Sequence, residues 1–288
     1  MGNMAKKFNV TGICITERHY MVDTGDKVER TISNYIREGK YFTINRARQY
    51  GKTTMLHELE KRLLPEFVVI RISFEAADDY FTSSVNLVKG LTLDIGESLE
   101  RQGIDERIVQ KWYSSIEEEL ALREFGKKIT RLCAECDKKV VFMIDEVDKS
   151  SDNQLFLSFL GLLRAKYLEQ MQGGDKTFWS VILAGVYDVK NLKLKLHPEQ
   201  ESKYNSPWNK RVGNESSECL HSFDDCPRDY KAFSPYNIAV DFNVDLSFSA
   251  LEIEGMLKEY EADIHTGMDV EKMAEEIYAY TSGYPYLV

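Results

Sequence analysis

Residues 41–54, YFTINRARQYGKTT, limit the possible folds of this chain more than any other stretch. An apolar run (Tyr41, Phe42, Ile44) breaks into a basic loop that closes on Gly51, Lys52 and Thr53. Thr54, Met55, Leu56, Leu59 and Leu63 then fall on one face of a helix. A strand that ends in a curled loop and restarts as a helix aims backbone N–H groups and the positive end of a helix dipole at one spot, which is what holding a phosphate requires. In that reading Lys52 reaches the β- and γ-phosphates and Thr53 ligates Mg2+. Arg46, Arg48, Gln49, Tyr50, Gly51 and Thr54 complete the nucleotide contacts. The loop departs from the pattern G-x-x-x-x-G-K-[ST], because its first glycine position is occupied by Arg46.

A second stretch supplies the acids such a loop needs. Residues 140–144 are apolar and run directly into Asp145 and Glu146, with Asp148 close behind. A carboxylate at the tip of a buried strand, beside the phosphate loop, suits Mg2+, and a second one can polarise the attacking water. Asp145 fits the metal role and Glu146 the catalytic one. Residues 178–184 read as a further buried strand, with Gly185, Val186, Tyr187 and Asp188 where a γ-phosphate sensor would stand, though none is a clear sensor. Arg164 falls on the preceding helix, expected from a cap at Ser150 or Ser151 through Gln170. It reads as an ordinary solvated residue in preference to an arginine finger.

Around these stretches the periodicity predicts a helix over 25–39 stopped by Gly39, a helix from the loop to about Leu64 ended by Pro65, and a buried strand within 67–74. Helices are expected over 84–101 and 115–136, with the Trp112-Tyr113 pair between them. Residues 17–23, ERHYMVD, switch from polar to apolar and should pack against another part of the chain. Residues 190–236 are polar and irregular, 238–242 read as a fifth strand, and 249–260 and 270–280 as helices.

The chain's 288 residues suit one large α/β unit with an appended subdomain. A net charge of −10 works against broad nucleic-acid binding, which depends on neutralising phosphates. No apolar run is long enough for a bilayer, and the first residues, MGNMAKKFNV, lack the apolar segment of a signal peptide. Five cysteines, an odd number, suit reduced thiols in a cytoplasm. Cys133 and Cys136 have metal-ligand spacing, and Cys219, His221 and Cys226 could complete a zinc site, but no zinc is expected: the pair falls in a helix where small buried thiols are common.

The ERHYMVD segment, the INRARQYGKTT loop, the FMIDEVD strand, the YNSPWN phrase at 204–209 and TSGYPYL at 281–287 together resemble the bacterial AAA-like ATPases related to archaeal-type and signal-transduction (STAND) P-loop ATPases. The resemblance covers nearly the whole chain. It implies a three-layer αβα sandwich with a mainly parallel five-stranded sheet over residues 1–245, in which 190–237 is irregular and an insertion. A helical lid over 246–288 would follow. It further implies a Gly-x-Pro signature that sets Pro285 against the adenine, as the opening of a lid helix whose body lies past residue 288. The function it implies is Mg-ATP binding and slow hydrolysis that switches lid against base for a protein partner or downstream domain. A hydrolysis-silent scaffold and a helper ATPase for DNA processing are the alternatives.

Overall fold

The structure, a computed structural model, describes residues 6–9, 12–114, 121–150, 154–186 and 238–288. In chain order it contains β1 (Lys7–Phe8), β2 (His19–Tyr20), α1 (Gly25–Thr31), which continues into a π turn over Ile32–Ile36, β3 (Tyr41–Asn45), α2 (Lys52–Leu63), β4 (Val68–Ser73), α3 (Ser84–Arg101) and α4 (Glu106–Tyr113). Then come α5 (Ala121–Glu135), β5 (Val140–Asp145), α6 (Gln154–Met171), β6 (Ser180–Gly185), α7 (Ala250–Ile264) and α8 (Val270–Thr281). No helix among the described residues is long and apolar enough to cross a membrane.

The central sheet has the order β3-β6-β5-β4, and every pair in it is parallel. Its strands are apolar on both sides because both sides are covered. Phe142 and Ile144 of β5 face α3, α5 and α6, where Leu91, Ile95, Phe125, Ile129, Phe159 and Leu160 close the core. Val141 and Met143 face the opposite cluster with Val28, Ile36, Leu56, Leu59 and Leu63. The result is the expected αβα sandwich. The register sets Asn45 beside Gly185 and Ser73 beside Asp145, so the strands end together and carry their loops to one edge.

The sheet has four strands where five were expected. The segment after residue 238 makes one parallel bridge, Phe42 to Val240, and goes no further as a strand. Side chains take over its backbone groups instead. The Tyr35 hydroxyl accepts the Asn243 N–H at 2.9 Å, and Arg46 Nη2 donates to the Val244 carbonyl at 3.1 Å. Phe242, Val244 and Leu246 are buried in the same cluster as α2, with the Phe242 ring stacked on Phe42 at 5.5 Å. The segment lies along the sheet, held by side chains rather than by a ladder.

A second correction concerns Trp112 and Tyr113, which belong to α4 rather than to a connection. Trp112 is buried against Phe125 and its indole N–H reaches the Thr92 carbonyl at 2.8 Å, so the core claims a residue that a linker would expose. Among the described residues the next helix starts at Ala121. Residues 115–120, Ser151, Tyr187, Asp188 and the whole of 190–237 lie outside the described residues. Cys133 and Cys136 are free and sit at the end of α5, where burial raises both thiols, that of Cys136 to about 11. Among the described residues no three His, Cys, Asp or Glu side chains gather to hold a metal ion. Cys219, His221 and Cys226 lie outside them.

The lid begins at a capping box in which Ser249 and Glu252 each bond the other's backbone N–H. Its α7 packs on α8 and on Tyr20 and Val22, which is where the 17–23 segment is buried. The lid closes through Gly283, whose φ is +70°; a Cβ there would stand 1.8 Å from the Phe248 carbonyl oxygen. Gly283→Ala is therefore expected to destabilise the lid by about 1–3 kcal/mol, since left-handed strain and a backbone collision add. Thermal unfolding checks this, and an unchanged midpoint would show that the closure is not tight.

Candidate functional site

The loop that follows β3 turns by two residues of positive φ, Gln49 at +58° and Gly51 at +76°. Gly51 is the N-cap of α2 and supplies no side chain to bond the first N–H groups of that helix, which leaves them open to an anion. Lys52, on the first turn, is only 5% exposed. Its Nζ donates to the Arg46 and Ala47 carbonyls at 3.0 and 2.9 Å, so the ammonium is folded back into its own loop. Burial lowers its pKa, and Glu146, Asp145 and Asp148 pull it back up.

Asp145 ends β5 at 4% exposure and joins the two halves of the site. Its Oδ2 accepts the Thr53 hydroxyl at 2.7 Å, and its Oδ1 accepts the Glu146 N–H at 2.9 Å. Two oxygens of the kind Mg2+ prefers, a hydroxyl and a carboxylate, are thus paired where the phosphate loop meets the acidic strand. Glu146 holds a left-handed backbone at φ +55°, unusual for a residue with a side chain. Burial raises the pKa of its carboxyl, Asp148 and Asp145 raise it further, and Lys52 opposes them.

Other loop residues serve different ends. Arg46, at the missing first glycine, turns away to the Val244 carbonyl, its guanidinium 5.9 Å from the Phe242 ring centroid. Here it fastens the 242–246 segment to the loop. Arg48 and Gln49 are exposed on the crest, and Tyr50 and Thr54 are half-buried. Pro285 lies against the loop: a Cβ on Gly51 would be 3.9 Å from the Pro285 Cβ. Tyr284, beside it, meets Tyr50 edge-on with ring centroids 4.9 Å apart. Arg164 lies half-buried on α6.

Two participants were not singled out from the sequence. Asp148 accepts the Val186 N–H at 3.0 Å and so ties the tip of β6 to the acidic turn. A Cβ on Gly185 would stand 3.0 Å from the Asp148 carboxylate, which is why that tip carries a glycine. The third acid of the DEVD run was the available signal. Tyr284 stood in the sequence only as the unspecified middle position of the Gly-x-Pro stretch, since its partners in the loop lie more than two hundred residues away.

A family model for the AAA-like domain matches residues 15–186. Among curated proteins, none matches the sequence. Solved structures similar to this chain include a Walker-type ATPase and a DNA-bound protein. A Walker-type ATPase of Pyrococcus abyssi is 15% identical with a TM-score of 0.50, covering 96% of this chain and 68% of its own. The Orc1 protein of Aeropyrum pernix, solved in complex with DNA, is 11% identical with a TM-score of 0.40, covering 84% of this chain and 50% of its own.

Proposed function

The chain belongs to the AAA-like domain family, and on that footing we propose that it binds Mg-ATP and hydrolyses it slowly, as a switch between the sheet and the lid. The observation that carries this is the 2.7 Å bond from Thr53 to Asp145 beneath the buried Lys52. Three residues from two distant stretches converge there at an uncapped helix start, and that is the donor set a magnesium-bound triphosphate needs. The bound Mg2+ would be held by Thr53 and Asp145 and would neutralise phosphate charge. Lys52 would exchange the Arg46 and Ala47 carbonyls for phosphate oxygens. Glu146 would take the proton of the attacking water, helped by its raised pKa. Pro285, already beside Gly51, is assigned to the base side of the nucleotide. We assign the readout to a protein partner or downstream domain in the cytoplasm, whose reducing conditions suit the free Cys14, Cys133 and Cys136.

Phosphate release with Mg-ATP, measured with and without DNA, tests the reading. Release without DNA is the expected result. Release only with DNA would favour a helper ATPase, and none in either case a silent scaffold. The pH profile gives a further prediction. Glu146 works as a carboxylate, so turnover should fall as pH drops through its raised pKa, at a higher pH than the ordinary glutamate value of about 4.3 would give. A rate that stays flat down to that ordinary value would remove Glu146 from the role of base.

A further inference from the structure

The loop is held from outside by the lid. The Tyr284 hydroxyl donates to the Arg48 carbonyl, and its ring stands edge-on to Tyr50 at 4.9 Å. Tyr284 follows Gly283, whose carbonyl accepts the Phe248 N–H at 2.8 Å, so the tyrosine is anchored to the start of the lid rather than to a loose end. The residue after the bonded carbonyl is Gln49, left-handed at φ +58° without being a glycine. Left-handed residues are how a loop turns its N–H groups to one side to form an anion-binding concavity, and a side chain makes that conformation costly to keep. The Arg48 carbonyl and the Gln49 N–H belong to one planar trans peptide and point in opposite directions. Whatever fixes the first therefore aims the second.

We propose that Tyr284 is a positioning residue for the phosphate loop: its hydroxyl sets the peptide between Arg48 and Gln49, and so supplies from the lid part of the order that this glycine-poor loop lacks. The inference rests on the nucleotide-binding reading above. It also makes lid and loop thermodynamically linked, because a phosphate that favours one arrangement of this peptide must favour the lid position that holds it. Arg46 provides a second clasp on the other arm of the loop, through Val244.

Tyr284→Phe tests this, since it keeps the ring against Tyr50 and removes only the hydroxyl. Titrations of the full chain with Mg-ATP and with Mg-tripolyphosphate, which has no base or ribose, should both weaken by about three- to tenfold, the effect of one hydrogen bond. In a Gln49→Gly background, where glycine adopts the left-handed conformation freely, the same change should cost less than about twofold. Unchanged affinity for both ligands would overturn the proposal. A loss confined to ATP would overturn it too, because the hydroxyl would then be meeting the base or ribose. An equal loss in both backgrounds would likewise remove the link to Gln49. If wild type binds neither ligand, the nucleotide-binding reading falls and takes this inference with it; if wild type binds both and Tyr284→Phe matches it, only this inference falls.

Discussion

Glu146→Gln is expected to bind Mg-ATP about as tightly as wild type and to release phosphate about a hundredfold to ten-thousandfold more slowly, the usual contribution of a positioned general base. The substitution keeps the shape of the side chain and the backbone bond to Asp145, because that bond uses the Glu146 N–H. It removes one negative charge from a cluster that also holds Asp145 and Asp148 and repels it. Binding should therefore hold or tighten slightly while chemistry stops. Single-turnover measurement separates the two, and release at the wild-type rate would assign catalysis to another group.

Lys52→Ala is expected to weaken Mg-ATP binding by about tenfold to a hundredfold, the cost of losing one charge-assisted contact. The lysine now spends its donors on the Arg46 and Ala47 carbonyls, so alanine also leaves those two oxygens unpaired within the loop. The cation is in addition what opposes the upward shift of Glu146, so the mutant's remaining turnover should fall off at a higher pH than that of wild type. In a melting assay a ligand at a hundred times its dissociation constant adds about 2.7 kcal/mol of stability. Wild type should show that gain with Mg-ATP, and Lys52→Ala at the same ligand concentration only about 0.4–1.4 kcal/mol of it. Identical shifts in the two proteins would sink the phosphate-loop assignment.

The parts of the site that could be read from the sequence are those encoded locally. The loop was legible because residues 41–63 change period from strand to helix across a Gly-Lys-Thr step, and the acidic strand because apolar residues 140–144 run directly into two carboxylates. The αβα layering followed from the same alternation. What stayed hidden depends on side chains that meet across the fold. Residues 238–242 have the composition of a strand, but their pairing stops at the Phe42–Val240 bridge, and just past them Tyr35 and Arg46 engage the Asn243 N–H and the Val244 carbonyl in place of a ladder. Trp112 and Tyr113 looked like a linker because α4 is short, and its fit into the core depends on Thr92 and Phe125. The departure at Arg46 read as a weakened motif, whereas the structure puts that side chain to use away from the loop's interior.

The burial of Tyr20 and Val22 beneath α7 bears on how the lid could move. Tyr20 also bonds Asp263 at 3.0 Å, and Lys6 pairs with Glu259, so Lys6, Tyr20 and Val22 are fastened to the lid rather than to the sheet. The lid body is consequently joined to the rest of the molecule by two covalent strands, one leaving near Asp23 and the other near Ser247. Lys27 holds these crossings together, donating to the Ser247 carbonyl at 2.8 Å and pairing with Glu252 at 2.7 Å. A body on one tether can swing in any direction, but a body on two is confined to rotation about the line between its attachments. A lid that turns against the sheet, as the proposed switch requires, would therefore pivot about these two attachments, with Lys27 between them.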